Sequence, residues 1–170
     1  MARPRTIPDT DVFAIVRQLL AEGGDKAVAF SAVAQASGLA APSLVQRYGS
    51  REGMVRAALT AGWDAADAAA EEAALDTPPS AKGALAFLKV LGAQTADLAL
   101  LATEFRDPAL RARASAWRAQ VEAVLAQRLG GGARGREAAA LLFAAWQGQV
   151  LWQATGGKGF RLKDVVKRLG

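Results

Sequence analysis

Side chains able to do acid–base or nucleophilic chemistry are scarce in this chain of 170 residues. It contains no Cys and no His, which removes thiol nucleophiles, Cys/His zinc sites and His-based triads. Carboxylates remain. Glu71-Glu72 and Glu104 with Asp107 are the groups whose proximity would suit acid–base work. Both sets fall where solvated helix ends are expected, and the sequence suggests no partner for them. The sequence therefore reads as a non-enzyme without metal or cofactor, and what is left is binding chemistry. The formal net charge is +5, from 21 basic and 16 acidic residues, a balance that fits an acidic partner such as nucleic acid. The excess is spread unevenly: residues 1–60 carry seven basic and five acidic groups, and residues 158–170 carry five basic and one acidic.

The elements that must position these groups are helical. Ala and Leu, the strongest helix formers, number 41 and 20, and no alternating strand pattern competes. The longest uncharged apolar run, Ala138 to Trp146, is nine residues, far short of the roughly 20 a membrane span needs. The N-terminus lacks the pattern of a signal peptide. A soluble, cytoplasmic, all-α protein is expected, with no membrane partner.

Residues 1–8 read as an arm. Asp9 or Thr10 then caps a first helix whose stripe is Val12, Ile15/Val16 and Leu19/Leu20, ended by Gly23-Gly24. Ser31 is the expected cap of a short second helix, with Val33, Ala34 and Ala36 buried and Gly38 as its stop. A third short helix holds Pro42 in its first turn, turns Leu44, Val45 and Tyr48 inward, and ends at Gly49. Ser50 caps a fourth helix that runs through Met54, Val55, Ala58, Leu59 and Trp63 to about Ala74. After the break at Thr77-Pro78-Pro79-Ser80, helical stretches are expected over 80–94, 96–105, 108–129, 134–155 and 161–169, about nine helices in all.

Two helices this short are marginal alone and need a tertiary reason. Helix-turn-helix DNA binding supplies one: the first helix crosses the backbone and the second enters the major groove. Gly38 would take the left-handed conformation of the turn, and Leu39 would plug the core. A plain structural helix pair is the competing reading of the same spacing.

Residues 12–59 resemble the N-terminal DNA-binding domain of TetR-type transcriptional regulators. Ser31 stands at the helix 2 cap and Val33-Ala34 is the aliphatic–Ala pair. Ser37-Gly38-Leu39-Ala40 is the turn, Pro42-Ser43-Leu44-Val45-Gln46-Arg47-Tyr48 the recognition helix, and Ser50-Arg51-Glu52 the opening of helix 4. Arg51 occupies a usual Lys position, Val45 replaces a common Tyr, and Arg47 a common His or aromatic. The resemblance implies a DNA-binding surface of Ser31, Ala41, Pro42, Ser43, Gln46, Arg47, Tyr48 and Arg51. In it, Ser31, Arg51 and the surroundings of Tyr48 meet phosphates, Gln46 pairs with adenine, and Arg47 meets guanine or a phosphate. Arg3 and Arg5 would add minor-groove or phosphate contacts. With few hydrogen-bonding groups at Ala40, Ala41 and Pro42, phosphate contacts should supply much of the affinity.

The resemblance also implies the division of the chain: a three-helix DNA-binding domain over 1–52 and an all-α ligand-binding and dimerisation bundle over 53–170. A helix apolar on more than one side, 134–155, can pack on its own core and on a partner. A small-residue stripe of Ala145 and Gly148, flanked by Leu141 and Trp152, would join Leu162, Val165, Val166 and Leu169 in a two-fold four-helix interface. Phe87, Leu91, Phe105, Trp117, Val121, Phe143 and Trp146 would line an apolar cavity or simply fill the core. The expected partners are double-stranded DNA, a second copy of the chain, and a small hydrophobic or neutral effector. The expected function is a homodimeric repressor released from an inverted-repeat operator by that effector. The alternative is a helical binding or assembly module that keeps the fold without operator recognition.

Overall fold

The computed structural model describes residues 7–94, 107–152, 156 and 159–169, with backbone only at Gln94 and Leu169. Among these residues the chain is all-α, without strands. It comprises α1 (Asp9–Gly23), a 3-10 turn (Asp25–Ala27), α2 (Phe30–Ser37), α3 (Ala41–Tyr48), α4 (Arg51–Asp76), α5 (Ala81–Gln94), α6 (Pro108–Arg128), α7 (Gly132–Trp152) and α8 (Leu162–Leu169). The helical stretch expected over 96–105 lies outside the described residues. Those residues form two compact units. One takes in 7–64 and 107–111, the other 65–94 and 112–169 where described.

The first unit is built on an aliphatic core. Val12, Val16 and Leu20 of α1 meet Val33, Leu39, Leu44, Met54, Ala58, Leu59 and Trp63, all buried. Each large apolar side chain contributes about 1.5–3 kcal/mol by leaving water. Local details depart from the sequence expectation. Pro8 occupies the N-cap of α1, and neither Asp9 nor Thr10 caps it. Ala29 is the N-cap of α2, with no side-chain cap bond, so Ser31 sits inside the first turn. The buried side of α2 is Val33 and Ser37, four residues apart, whereas Ala36 is exposed. Val45 does not turn inward: it is 44% exposed, because the helical geometry that buries Leu44 and half-buries Tyr48 on one face points the residue between them outward. Ser50 does cap α4, accepting the Gly53 N–H at 3.0 Å.

In the second unit the core is aromatic. Trp117, Phe143 and Trp146 pack with ring centroids 5.8–6.3 Å apart in tilted arrangements, the geometry that ring quadrupoles favour. Trp117 Nε1 donates to the Ala66 carbonyl at 3.0 Å, so its polar edge is satisfied inside. Arg128, only 7% exposed, lies beside the end of α4. Its guanidinium donates to the carbonyls of Ala74 at 2.8 Å, Thr77 at 3.0 Å and Gly83 at 3.2 Å, and to Thr77 Oγ1 at 2.7 Å. It also covers the Phe87 ring at 5.0 Å. The last carbonyls of a helix have no intrahelical partner; here one buried cation serves them. Gly83 lets the first turn of α5 press against the Pro78 backbone, since a Cβ there would fall 1.7 Å from the Pro78 carbonyl oxygen.

Candidate nucleic-acid interface

The turn between α2 and α3 is formed by Gly38, with φ 74° and ψ 12°. Its N–H returns to the Ala34 carbonyl at 2.9 Å and closes α2. Ser37 is buried and its Oγ accepts the Leu39 N–H at 3.2 Å, which holds Leu39 in the core as expected. Pro42 stands in the first turn of α3, and Gly49, at φ 73°, ends that helix.

Of the residues implied as DNA-binding, Pro42, Gln46 and Arg47 are exposed on α3, and Ala41, Ser43 and Tyr48 are half-buried. Ser31 is exposed on α2 and Arg51 half-buried at the start of α4. The two guanidinium groups are engaged within the protein. Arg47 Nη1 donates to the Ile7 carbonyl at 3.1 Å and to Asp9 Oδ1 at 3.4 Å. Arg51 Nε donates to the Val28 carbonyl at 2.6 Å. Its Nη2 bonds the Asp25 carbonyl and lies 2.5 Å from the Asp25 carboxylate, and its Nη1 is 3.5 Å from Glu52. Arg51 thus ties the 3-10 turn to the head of α4. Arg3 and Arg5 lie outside the described residues.

Asp9 is the hub of this surface. The Tyr48 hydroxyl donates to Asp9 Oδ1 at 2.6 Å, and its ring packs on Phe13 at 5.8 Å. Burial, then the hydrogen bond and charge of Asp9, push the Tyr48 hydroxyl up to about 12, against an opposing pull from Arg47. Tyr48 is therefore a neutral donor at ordinary pH. In the sequence Asp9 reads only as a helix cap. Its partners, 38 and 39 residues away, leave no local signal.

Within the second unit, the described residues expected to line a cavity, Phe87, Leu91, Trp117, Val121, Phe143 and Trp146, are all buried. Phe105 lies outside the described residues. A groove of about 850 Å³ opens beside that core and includes only Trp146 of the set. Leu85, Leu88, Gly92 and Ala93 of α5 line one side, and Gln149, Trp152, Phe160 and Leu162 another, with exposed Lys89 and Lys163 also present. Its walls come from α5, α7 and the approach to α8, and their distance in sequence leaves the groove invisible to helical periodicity. Among the dimer candidates, Leu141 and Trp152 are 58% and 64% exposed. Ala145, Gly148, Leu162, Val165 and Val166 are half-buried, and Leu169 is described only as backbone. Among the described residues no helix is long and apolar enough to cross a membrane. No acidic cluster there is suited to a metal ion.

No family model matches the chain, and no curated protein matches it. Solved structures do. A TetR family transcriptional regulator from Thermus thermophilus, PfmR, superposes with a TM-score of 0.62 at 18% identity, over 92% of this chain and 93% of that one. SCO7518 from Streptomyces coelicolor A3(2), a proposed transcriptional regulator, superposes with a TM-score of 0.69 at 20% identity, over 95% and 96% of the two chains. The chain has the fold seen in TetR-family transcriptional regulators.

Proposed function

We propose that this chain is a DNA-binding transcriptional regulator rather than an enzyme. It acts in the cytoplasm as a homodimeric repressor on an inverted-repeat operator, and a small apolar or neutral effector releases it. The observation that carries the reading is the α2–α3 pair. Two eight-residue helices meet at a left-handed Gly38, and the outer face of the second is left uncovered. Such helices need a tertiary purpose, and insertion of α3 into a major groove is one. The likeness to solved structures of transcriptional regulators supports it. The exposed Leu141 and Trp152, with the partly covered stripe of Ala145, Gly148, Leu162, Val165 and Val166, support a two-fold contact through α7 and α8. The groove beside α5 offers the effector a place. Release would be transmitted along α4, which starts three residues after α3 ends.

A second reading is a helical binding or assembly module that keeps the fold without operator recognition. The engagement of Arg47 and Arg51 inside the protein favours it. Selection of genomic fragments on the purified protein, sequenced after washes at two salt concentrations, separates the two. An enriched inverted repeat, with affinity falling as salt rises, is the expected result for a regulator. Absent or sequence-blind binding would leave the module reading.

A further inference from the structure

The outer face of α3 is chemically narrow. Pro42, Val45 and Gln46 are exposed, and their spacing of three and four residues places them on one side of the helix. Leu44 on the opposite side is fully buried. Val45 leaves 44% of its surface to water, and Ala41 beside Pro42 adds another aliphatic group. One amide, that of Gln46, is the principal hydrogen-bonding side chain on the strip. The guanidinium groups nearest to it are engaged elsewhere: Arg47 on Asp9 and the Ile7 carbonyl, Arg51 on Val28 and Asp25.

Each base pair shows the major groove a distinct pattern. Guanine is read by a bidentate cation on O6 and N7, adenine by a bidentate amide on N6 and N7, and thymine by apolar contact with its 5-methyl group. The strip on α3 lacks an uncommitted cation and has the other two. We infer, on the DNA-binding reading above, that α3 is a reader of A·T pairs, with Pro42 and Val45 packed against thymine methyl groups and Gln46 bidentate on an adjacent adenine. Arg47 serves as a brace between α3 and the head of α1 and does not read guanine.

Replacing thymine by deoxyuridine tests this directly, because it deletes the methyl group and keeps every hydrogen bond of the pair. The probe is the duplex recovered by genomic selection, substituted at one half-site thymine at a time, with affinity measured on the full chain. At one or two positions affinity falls about fourfold, the factor that corresponds to burying a single carbon group. Val45→Ser, a change at an exposed site, lowers affinity for the thymine duplex by a similar factor and removes its preference over the uracil duplex. Gln46→Ala relaxes selectivity at the neighbouring adenine. A selected operator that tolerates uracil at every position overturns the inference and leaves the regulator reading intact. So does one whose half-sites are read as G·C. If no fragment is selected at all, the DNA-binding reading fails and this inference fails with it.

Discussion

Each of the two units relies on arginine side chains that donate to its own backbone carbonyls, but under opposite conditions. In the first unit Arg51 and Arg47 are partly exposed and share their charge with Asp25, Glu52 and Asp9. In the second, Arg128 is buried against Phe87, and its described bonds go to three carbonyls and a hydroxyl. Exposed pairs are screened and worth little, typically below about 1 kcal/mol. A buried donor serving buried acceptors matters far more, because removing it leaves those acceptors dry and unpaired. The arginine ties of the first unit are therefore weak where that of the second is strong. Losing the tie of Arg47 or of Arg51 should cost the first unit little, while the joint between α4 and α5 depends on Arg128.

The largest effect should come from breaking the strong side of this contrast. Arg128→Met preserves the apolar stem and deletes the fork that serves Ala74, Thr77 and Gly83. We expect a loss of about 3 kcal/mol in denaturant unfolding, from several charge-assisted bonds at once. Arg128→Lys should recover part of it, since an ammonium keeps the charge but cannot span the same set of carbonyls. Burial already lowers the basicity of Arg128, in keeping with a group held in place by geometry. A loss below about 1 kcal/mol would mean that those carbonyls find other donors, and the contrast between the units would collapse.

The sequence made the fold legible where local rules act. The stops at Gly38 and Gly49, the Ser50 cap, the core run from Met54 to Trp63 and the helix start at 108 follow from glycine geometry, capping and helical period. Asp107 Oδ1 accepts the Ala109 N–H at 2.9 Å, as a cap should, and its Oδ2 accepts from Arg56 Nε at 2.6 Å, a partner 51 residues away that the sequence did not suggest. Ser31 is not the cap because the helix already starts at Phe30, with Ala29 as the extended residue before it. Val45 was misplaced because an aliphatic residue beside Leu44 looks like core until the helix face is fixed by its neighbours. The candidate site was legible only in outline. The turn and the exposed Gln46 can be read from residues near each other. The links of Arg47 and Tyr48 to Asp9, and of Arg128 to Ala74, join positions 38–54 residues apart, and no periodicity encodes them.

A smaller effect sharpens the weak side. Gly38 adopts a left-handed backbone at φ 74°. Gly38→Ala places a side chain there at a cost of about 1–2 kcal/mol. Because Leu39 and Leu44 still fill the core, most of the chain should stay folded. We expect a modest fall in thermal midpoint and, on the proposed DNA-binding function, a larger fractional loss of DNA affinity, as α3 loses its set angle to α2. Equal DNA affinity in wild type and variant would show that the turn does not fix the angle of α3.

The smallest effect is the most specific. Tyr48 is the one tyrosine of the chain, so tyrosinate absorbance during an alkaline titration reports this hydroxyl alone. Its pKa in the folded chain stands near 12, against an ordinary 10.0. A group whose pKa is raised by folding stabilises the native state fully below its ordinary value and loses that contribution as pH climbs through the folded one. The wild-type absorbance step should therefore be late, and Tyr48's contribution to stability should decline between about 10 and about 12. Asp9→Asn removes the charge and weakens the acceptor, yet leaves the burial that is the first cause of the shift. Its titration should move down without returning to the ordinary value, with stability at neutral pH changed by less than about 1 kcal/mol. The same variant frees Arg47 from its carboxylate. If the titration does not move, the Asp9 carboxylate is not what raises the Tyr48 hydroxyl, and the tie between α3 and the head of α1 would have to rest on other groups.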